Sequence, residues 1–505
     1  MSKIATLDEF FGSESGKDYS ESKDTTSSLD KQFYWTGHPF VDAGLTAILL
    51  ITNKEKPEEL TEEDIKKAIE FVSKLYVKDD WVKRLSRIFR NNNPILMVNP
   101  SMKDKRTPTK LRESLNTLFR LIPSENESGA KCAICGRRRK ISGFELRKAI
   151  HSKDKSKPKE ITGDVFPLLG TGDVRNFFHS ANPLGADICA YCLFLVQFMP
   201  LAVYYMGRML IIHTFPYERM LDIHEEAIKY VELSGIASNA REFKRPENFF
   251  FKKVIEISRK IESGYRYWSN TSAVIYHFIN GNRSGEQTVE IIYIPNSILR
   301  FIAFAGEESE SWKKILNMGW NIKKKRKKLS FEELEKGYTN EVYRKLLNYE
   351  SILPYFYNKR ERNVNSSWRL LKFYCVEVLG LNEETLEFIK DVGDRIVETI
   401  EKLPNNQLRR TVRELENANK LWEFESFFVR VEKIRQNKKL PNALLTFDEF
   451  ARLLTAYGED INVSWKTVRD LLLFRIYEKL HDRLSGVEEE SEEEEEFEFY
   501  RGEEE

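Results

Sequence analysis

Apolar residues recur along this chain in two rhythms, and the change between them divides it. "FVDAGLTAILL" (residues 40–50) is apolar on nearly every side, which predicts a buried helix. "TEEDIKKAIEFVSKLY" (61–76) places its apolar residues at helical spacing behind a Thr61 cap and a first turn of acids. "RMLIIHTF" (208–215) reads as a strand. "AVIYHFI", "NGNRSGEQ" and "TVEIIYIP" (273–295) read as a β-hairpin with a basic tip. "NNNPILMVNPSMKDKRTP" (91–108) is a loop punctuated by Asn and Pro.

After residue 330 the helical rhythm is nearly unbroken. Thr446 precedes a stripe of Phe447, Phe450, Leu453, Leu454 and Tyr457. Ser464 precedes Val468, Leu471, Leu472 and Ile476. Pro354, Pro404 and Pro441 mark breaks between helices. Cys375, inside "LLKFYCVEVLG", falls on an apolar helical face and reads as core.

These patterns predict an α+β fold. A mobile leader (1–31) precedes a mixed N-terminal region (32–320) with an inserted zinc-binding module at about 125–195. A basic connector (321–330), a helical bundle (331–486) and an acidic tail (487–505) follow. Residues 188 to 207 carry no charge, a length that could span a bilayer. The run contains Cys189, Cys192, Gln197 and Pro200, so a buried segment is expected instead. No signal-peptide run opens the chain, and a cytoplasmic location is expected.

Charge changes the picture. The whole chain is at +1, but residues 488–505 hold twelve Glu and one Arg, which leaves the rest at +12. A basic body suggests a polyanionic partner. Basic residues gather at Lys103, Lys105 and Arg106, at Arg137, Arg138, Arg139 and Lys140, and at Lys323 to Lys328. A further set comprises Arg409, Arg410, Arg413, Arg430, Lys433 and Arg435. Together they point to nucleic acid.

The strongest chemical signal is sulfur. Cys132/Cys135 and Cys189/Cys192 form two C-x-x-C pairs. Each tight turn aims two thiolates at one ion, and two pairs close a tetrahedral zinc site with no open position for catalysis. Redox chemistry at one pair is the alternative, without thioredoxin-like surroundings to favour it. His151 or His179 could replace a sulfur. No phosphate loop and no nucleophile elbow is present, so a noncatalytic role is expected.

"YWTGHPFVDAGLTAIL" (34–49), then the first cysteine pair, then "NFFHSANPLGADICAYC" (176–192), resembles one CRISPR-associated family in motif and order. The family is named for its C-x-x-C…C-x-x-C pairs. It is the large subunit of a type I, Cascade-like interference complex. The resemblance rests on Trp35, Thr36, Gly37, Pro39, Phe40, Val41, Asp42, Ala43 and Gly44 and covers the rest thinly.

That resemblance implies recognition of a protospacer-adjacent motif in target double-stranded DNA, help in opening the duplex, and a hold on the displaced strand. It implies a crRNA-containing complex of backbone subunits as partner and a helicase-nuclease recruited on target binding. The C-terminal helices are similar in kind to the small subunit lining the strand path in related complexes. Guide pairing reads most of the sequence, so the protein needs a short motif reader and a basic channel. Two loops offer base-reading and phosphate-contacting side chains: Asn91, Asn92 and Asn93 with Lys103, Lys105 and Arg106, and the hairpin tip Asn280, Asn282 and Arg283. The alternatives are a metal-dependent nuclease of the same defence system and a scaffold that binds only protein.

Overall fold

The computed structural model describes residues 33–91, 93–122, 130–150, 161, 163–169, 188–281, 287–322, 329–455 and 464–484. The leader, the acidic tail, Lys323 to Lys328, His151 and His179 lie outside the described residues.

His38 caps α1 (Pro39–Thr52): its ring accepts from the Phe40 N–H, and Pro39 takes the first helical position. The helix is buried on all sides, as its apolar composition predicts. Phe40, Val41, Leu45, Ile48 and Leu49 are fully buried, each contributing about 1.5–3 kcal/mol. Helix α2 (Glu62–Leu75) opens on a capping box between Thr61 and Asp64. Helices α3 (Asp79–Ile88) and α4 (Pro108–Arg120) complete the first layer, the latter capped by Thr107.

Strand β1 (Lys140–Ile141), α5 (Gly143–Ile150), β2 (Ile188–Cys189), α6 (Ala190–Val196) and α7 (Met199–Ala202) follow. The uncharged run is thus a buried two-residue strand, two short buried helices divided before Pro200, and the edge strand Tyr204–Met206. Among the described residues no helix is long and apolar enough to cross a membrane.

Next come β3 (Tyr204–Met206), β4 (Arg208–Phe215), α8 (Arg219–Ser234), α9 (Pro246–Ser258), α10 (Gly264–Tyr267), β5 (Ser272–Asn280) and β6 (Gln287–Ile294). The strands pair antiparallel in the order β3-β4-β5-β6, and the β5–β6 hairpin closes at Asn280 opposite Gln287. Because side chains alternate across a strand, this sheet has two apolar faces. Met209, Ile211 and Phe278 enter the core built around α1. Leu210, Ile212, Ala273 and Ile275 enter a second core.

That second core runs from Tyr204 to Leu484. It gathers α11 (Asn296–Glu307), α12 (Ser309–Met318), α13 (Phe331–Gly337) and α14 (Glu341–Leu347). A two-strand ribbon of β7 (Tyr357–Asn358) and β8 (Asn363–Val364) precedes α15 (Trp368–Glu377), α16 (Glu383–Ile400) and α17 (Asn405–Asn417). Then come α18 (Leu421–Asn437), α19 (Phe447–Thr455) and α20 (Trp465–Leu484). The hydrophobic cores therefore part along the sheet, while the connector at 321–330 joins segments of the same core.

Helix α16 lies against α20 at Gly393, where a Cβ would come within 2.9 Å of Arg475 Cγ. Arg475 there holds Asp394 through two hydrogen bonds of 2.7 and 2.8 Å. The three prolines fall at helix breaks, and Cys375 is fully buried, as expected. Phe447 departs from its expected place on the apolar stripe. It starts α19 one turn ahead of the core contact made by Phe450 and Leu453, and is 85% exposed.

Candidate metal centre and nucleic-acid surfaces

Two knuckles distant in sequence meet because β1 pairs with β2, setting Lys140 opposite Cys189. Gly136, at φ +66, turns the chain sharply after Cys135, and its N–H donates to the Cys132 carbonyl at 2.9 Å. The second pair sits at the start of α6, with Cys189 at the N-cap position. All four sulfurs lie within 4.8 Å of one another. Cys132 and Cys192 are 3.9 Å apart, and Cys135 and Cys189 are 3.7 Å apart. Tetrahedral zinc with Zn–S bonds of about 2.3 Å requires S–S edges of about 3.8 Å, so the cluster is compatible with a metal such as zinc.

Backbone N–H groups support the sulfurs. Ile134 and Cys189 each donate to Cys132 Sγ at 3.3 Å, and Cys192 donates to Cys189 Sγ at 3.5 Å. Hydrogen bonds from Cys132, Cys189 and Cys192 hold the Cys135 thiol far below its ordinary range. Burial, and then hydrogen bonds with Cys132, Cys135 and Cys189, push Cys192 up. Four sulfurs this close cannot all ionise without a cation between them.

The run that begins with Tyr34 packs directly on this centre. Tyr34 and Tyr191 stack with ring centroids 4.8 Å apart. The Tyr191 hydroxyl accepts from the Tyr34 N–H at 2.7 Å and donates to the Tyr34 carbonyl at 2.5 Å. Arg137 lies over the Tyr34 ring at 4.5 Å, and Arg138 over the Tyr191 ring at 4.6 Å. Asp42, fully buried, accepts from Thr36 N, Thr36 Oγ1 and Gly37 N at 2.8–2.9 Å and faces His213 Nε2 at 3.1 Å. The short "TG-PFVDAG" run is thus a closed turn knotted to α1 by one carboxylate.

The residues expected to meet nucleic acid separate into two groups. Asn93 is buried and accepts from Ile95 N and Leu96 N. Asn280 is buried and donates to the Ile88 and Gly163 carbonyls at 2.7 and 3.0 Å. Arg106 is buried on the Met97 carbonyl, and Arg138 is buried over the tyrosines. Arg435 is buried among Glu398, Thr399, Pro441 and Asn442. These five face inward: Asn93, Asn280, Arg106 and Arg435 pair with backbone groups, and Arg138 covers the tyrosine rings. Asn91 is half-buried, and Asn92, Asn282 and Arg283 lie outside the described residues.

Lys103, Lys105, Arg137, Arg139 and Lys433 are exposed, and Lys140 is half-buried. Lys103 approaches Asp79 at 3.9 Å, and Arg139 approaches Glu145 at 3.5 Å. Arg430 pairs with Glu414. Arg409, Arg410 and Arg413 share one side of α17 and line an open groove of about 830 Å³ between α17 and α18. Trp422, 60% exposed, stands on its opposite wall. The sequence patterns do not single out Trp422. A tryptophan among polar residues in "ANKLWEFES", just after an arginine run, is the signal that could have found it.

No family profile, no curated protein and no solved structure matches the chain.

Proposed function

We propose that this chain is a noncatalytic, zinc-holding large subunit of a type I CRISPR effector complex. In this role it reads a protospacer-adjacent motif, helps open target DNA, steadies the displaced strand and recruits the helicase-nuclease. The observation that carries the reading is the packing of the Tyr34–Gly44 run onto the four-cysteine centre through Tyr34, Tyr191 and Arg138. Two motifs far apart in sequence, each pointing to the same family, are one unit in space.

Cys132, Cys135, Cys189 and Cys192 would hold the zinc, which fixes the two knuckles against each other and leaves no ligand position for substrate. The α17/α18 groove, with cations on one wall and an indole on the other, suits a single strand whose phosphates and bases both need a surface.

The test is purification from a host carrying the other complex subunits, with bound RNA sequenced, copurifying proteins weighed and metal quantified. Guide RNA, backbone subunits and one zinc per chain are expected. Protein free of both RNA and backbone subunits would overturn the reading. Magnesium-dependent DNA cleavage lost on replacing one acid would favour the nuclease alternative. Binding to the complex that ignores salt would favour the protein-only scaffold.

A further inference from the structure

Three arginines from two separate segments converge on one tyrosine in an edge strand of the sheet. Arg84 and Arg87 stand on one face of α3, spaced three residues apart. Tyr205 is in β3, and Arg241 follows the end of α8. Their guanidinium carbons lie 5.6, 5.0 and 4.5 Å from the Tyr205 ring centre for Arg84, Arg87 and Arg241.

The framework is held from several sides. Trp81 Nε1 donates to the Gly235 carbonyl at 3.0 Å, fixing α3 to the end of α8. Ala240 N donates to the Tyr205 carbonyl at 2.9 Å. Arg84 itself donates to the Val203 and Ser238 carbonyls at 3.1 and 2.5 Å, and Arg87 reaches the Tyr205 hydroxyl.

Beside them is a cavity of about 270 Å³ whose wall also carries Lys83 and Asp80. Four cations thus face one carboxylate, and Asp80 already leans toward Lys83 at 3.9 Å. Burial first, and then the neighbouring Arg241, hold Arg84 down at about 10. Like charges gathered on rigid supports are unfavourable unless an anion joins them. Guanidinium groups in a fixed fork match phosphate oxygens.

We propose that Arg84, Arg87 and Arg241, gathered around Tyr205, form a phosphate-binding site, and that its natural occupant is a backbone phosphate of a nucleic acid strand. Met209 and Ile236 on the same wall give the attached sugar an apolar surface. This site lies on the sheet face shared with the α1 core, apart from the α17/α18 groove. It deepens the nucleic-acid reading above by adding a second point of contact.

The test uses Arg87→Gln/Arg241→Gln in the full chain, because both residues are exposed while Arg84 is engaged with backbone carbonyls. Arg87→Lys/Arg241→Lys keeps the charge, and thermal melting checks that both variants fold. A labelled oligonucleotide is titrated across a salt series, with pyrophosphate as competitor. The Gln variant is expected to bind about tenfold more weakly or worse. Its log–log salt slope should fall by about 0.7 for each phosphate that is no longer neutralised. The Lys variant should keep that slope.

Pyrophosphate that competes in the wild type and not in the Gln variant would show that free phosphate also enters. Weakened oligonucleotide binding without competition would show that only the strand does. Unchanged affinity and slope in a folded Gln variant would overturn the site while leaving the zinc and guide-RNA results intact. A wild-type chain that binds pyrophosphate through these arginines yet carries no guide RNA would instead overturn the functional reading.

Discussion

Gly44 of α1 sits against the Leu195 carbonyl of α6, so close that a Cβ at position 44 would come within 1.9 Å of that oxygen. Neither backbone can yield without moving its helix. Gly44→Ala is therefore expected to cost at least the upper end of about 1–3 kcal/mol seen for overpacking. Because α6 carries Cys192, the same variant should bind added zinc more weakly than the wild type. Thermal melting and metal quantification on one preparation check both effects; an unchanged melting curve would show that the helices are not packed this closely.

The four-cysteine cluster joins the Cys132–Ile141 segment to β2 and the start of α6, and a metal held there would tie them together. Chelation, or Cys135→Ser, is expected to release residues 130–150 and the start of α6 while the second core stays folded. Hydrogen exchange reads this directly. Amides around Cys132 and Ile141 should lose protection, and those of α16 and α20 should keep theirs. Uniform loss along the chain would contradict the separation into two cores.

The half-buried His38 and the buried His224 make the fold sensitive to acid. Burial, and then the His213 charge, lower His38 from 6.5 to about 3. Burial lowers His224 from 6.5 to about 4. Above pH 6.5 each is neutral whether folded or not. Below it, only the unfolded chain takes the proton, so stability falls as pH falls. Each histidine adds a slope of about 1.4 kcal/mol per pH unit until its folded value is reached. His38→Asn keeps a cap acceptor for the Phe40 N–H and removes one of these protons. Urea unfolding from pH 7 to pH 4.5 should be flatter for that variant; parallel curves would contradict the assignment.

Trp422 offers an exposed ring opposite Arg409, Arg410 and Arg413. Trp422→Ala is expected to weaken binding of single-stranded DNA by about 1–3 kcal/mol, the cost of removing one base stack. Fluorescence quenching of Trp422 on adding strand supplies an independent reading, and its absence would remove this groove from the strand path.

What could be read from the sequence was mostly local. The Thr61 cap, the hairpin closing at Asn280 and Gln287, the proline breaks and the two cysteine turns each depend on residues a few positions apart. Burial was harder to foresee. Asn93, Asn280, Arg106, Arg138 and Arg435 have the chemistry of nucleic-acid contacts, and the fold uses them to satisfy buried groups instead. Nothing near them in sequence announces which carbonyls Asn280 and Arg435 will meet or which rings Arg138 will cover. The arginines around Tyr205 escaped for the opposite reason: Arg84, Tyr205 and Arg241 look ordinary until α3, β3 and the end of α8 come together.

Strand β4 is apolar toward both cores, so Met209 and Ile211 could trade places with Leu210 and Ile212 at little hydrophobic cost. In most sheets a one-residue slip is forbidden because it would drag polar groups inside. Here that protection rests on His213, which must arrive opposite the fully buried Asp42. The pair works as an index mark: a chain threaded one step out of place would leave Asp42 its bonds from Thr36 and Gly37 but take away the imidazole that faces it.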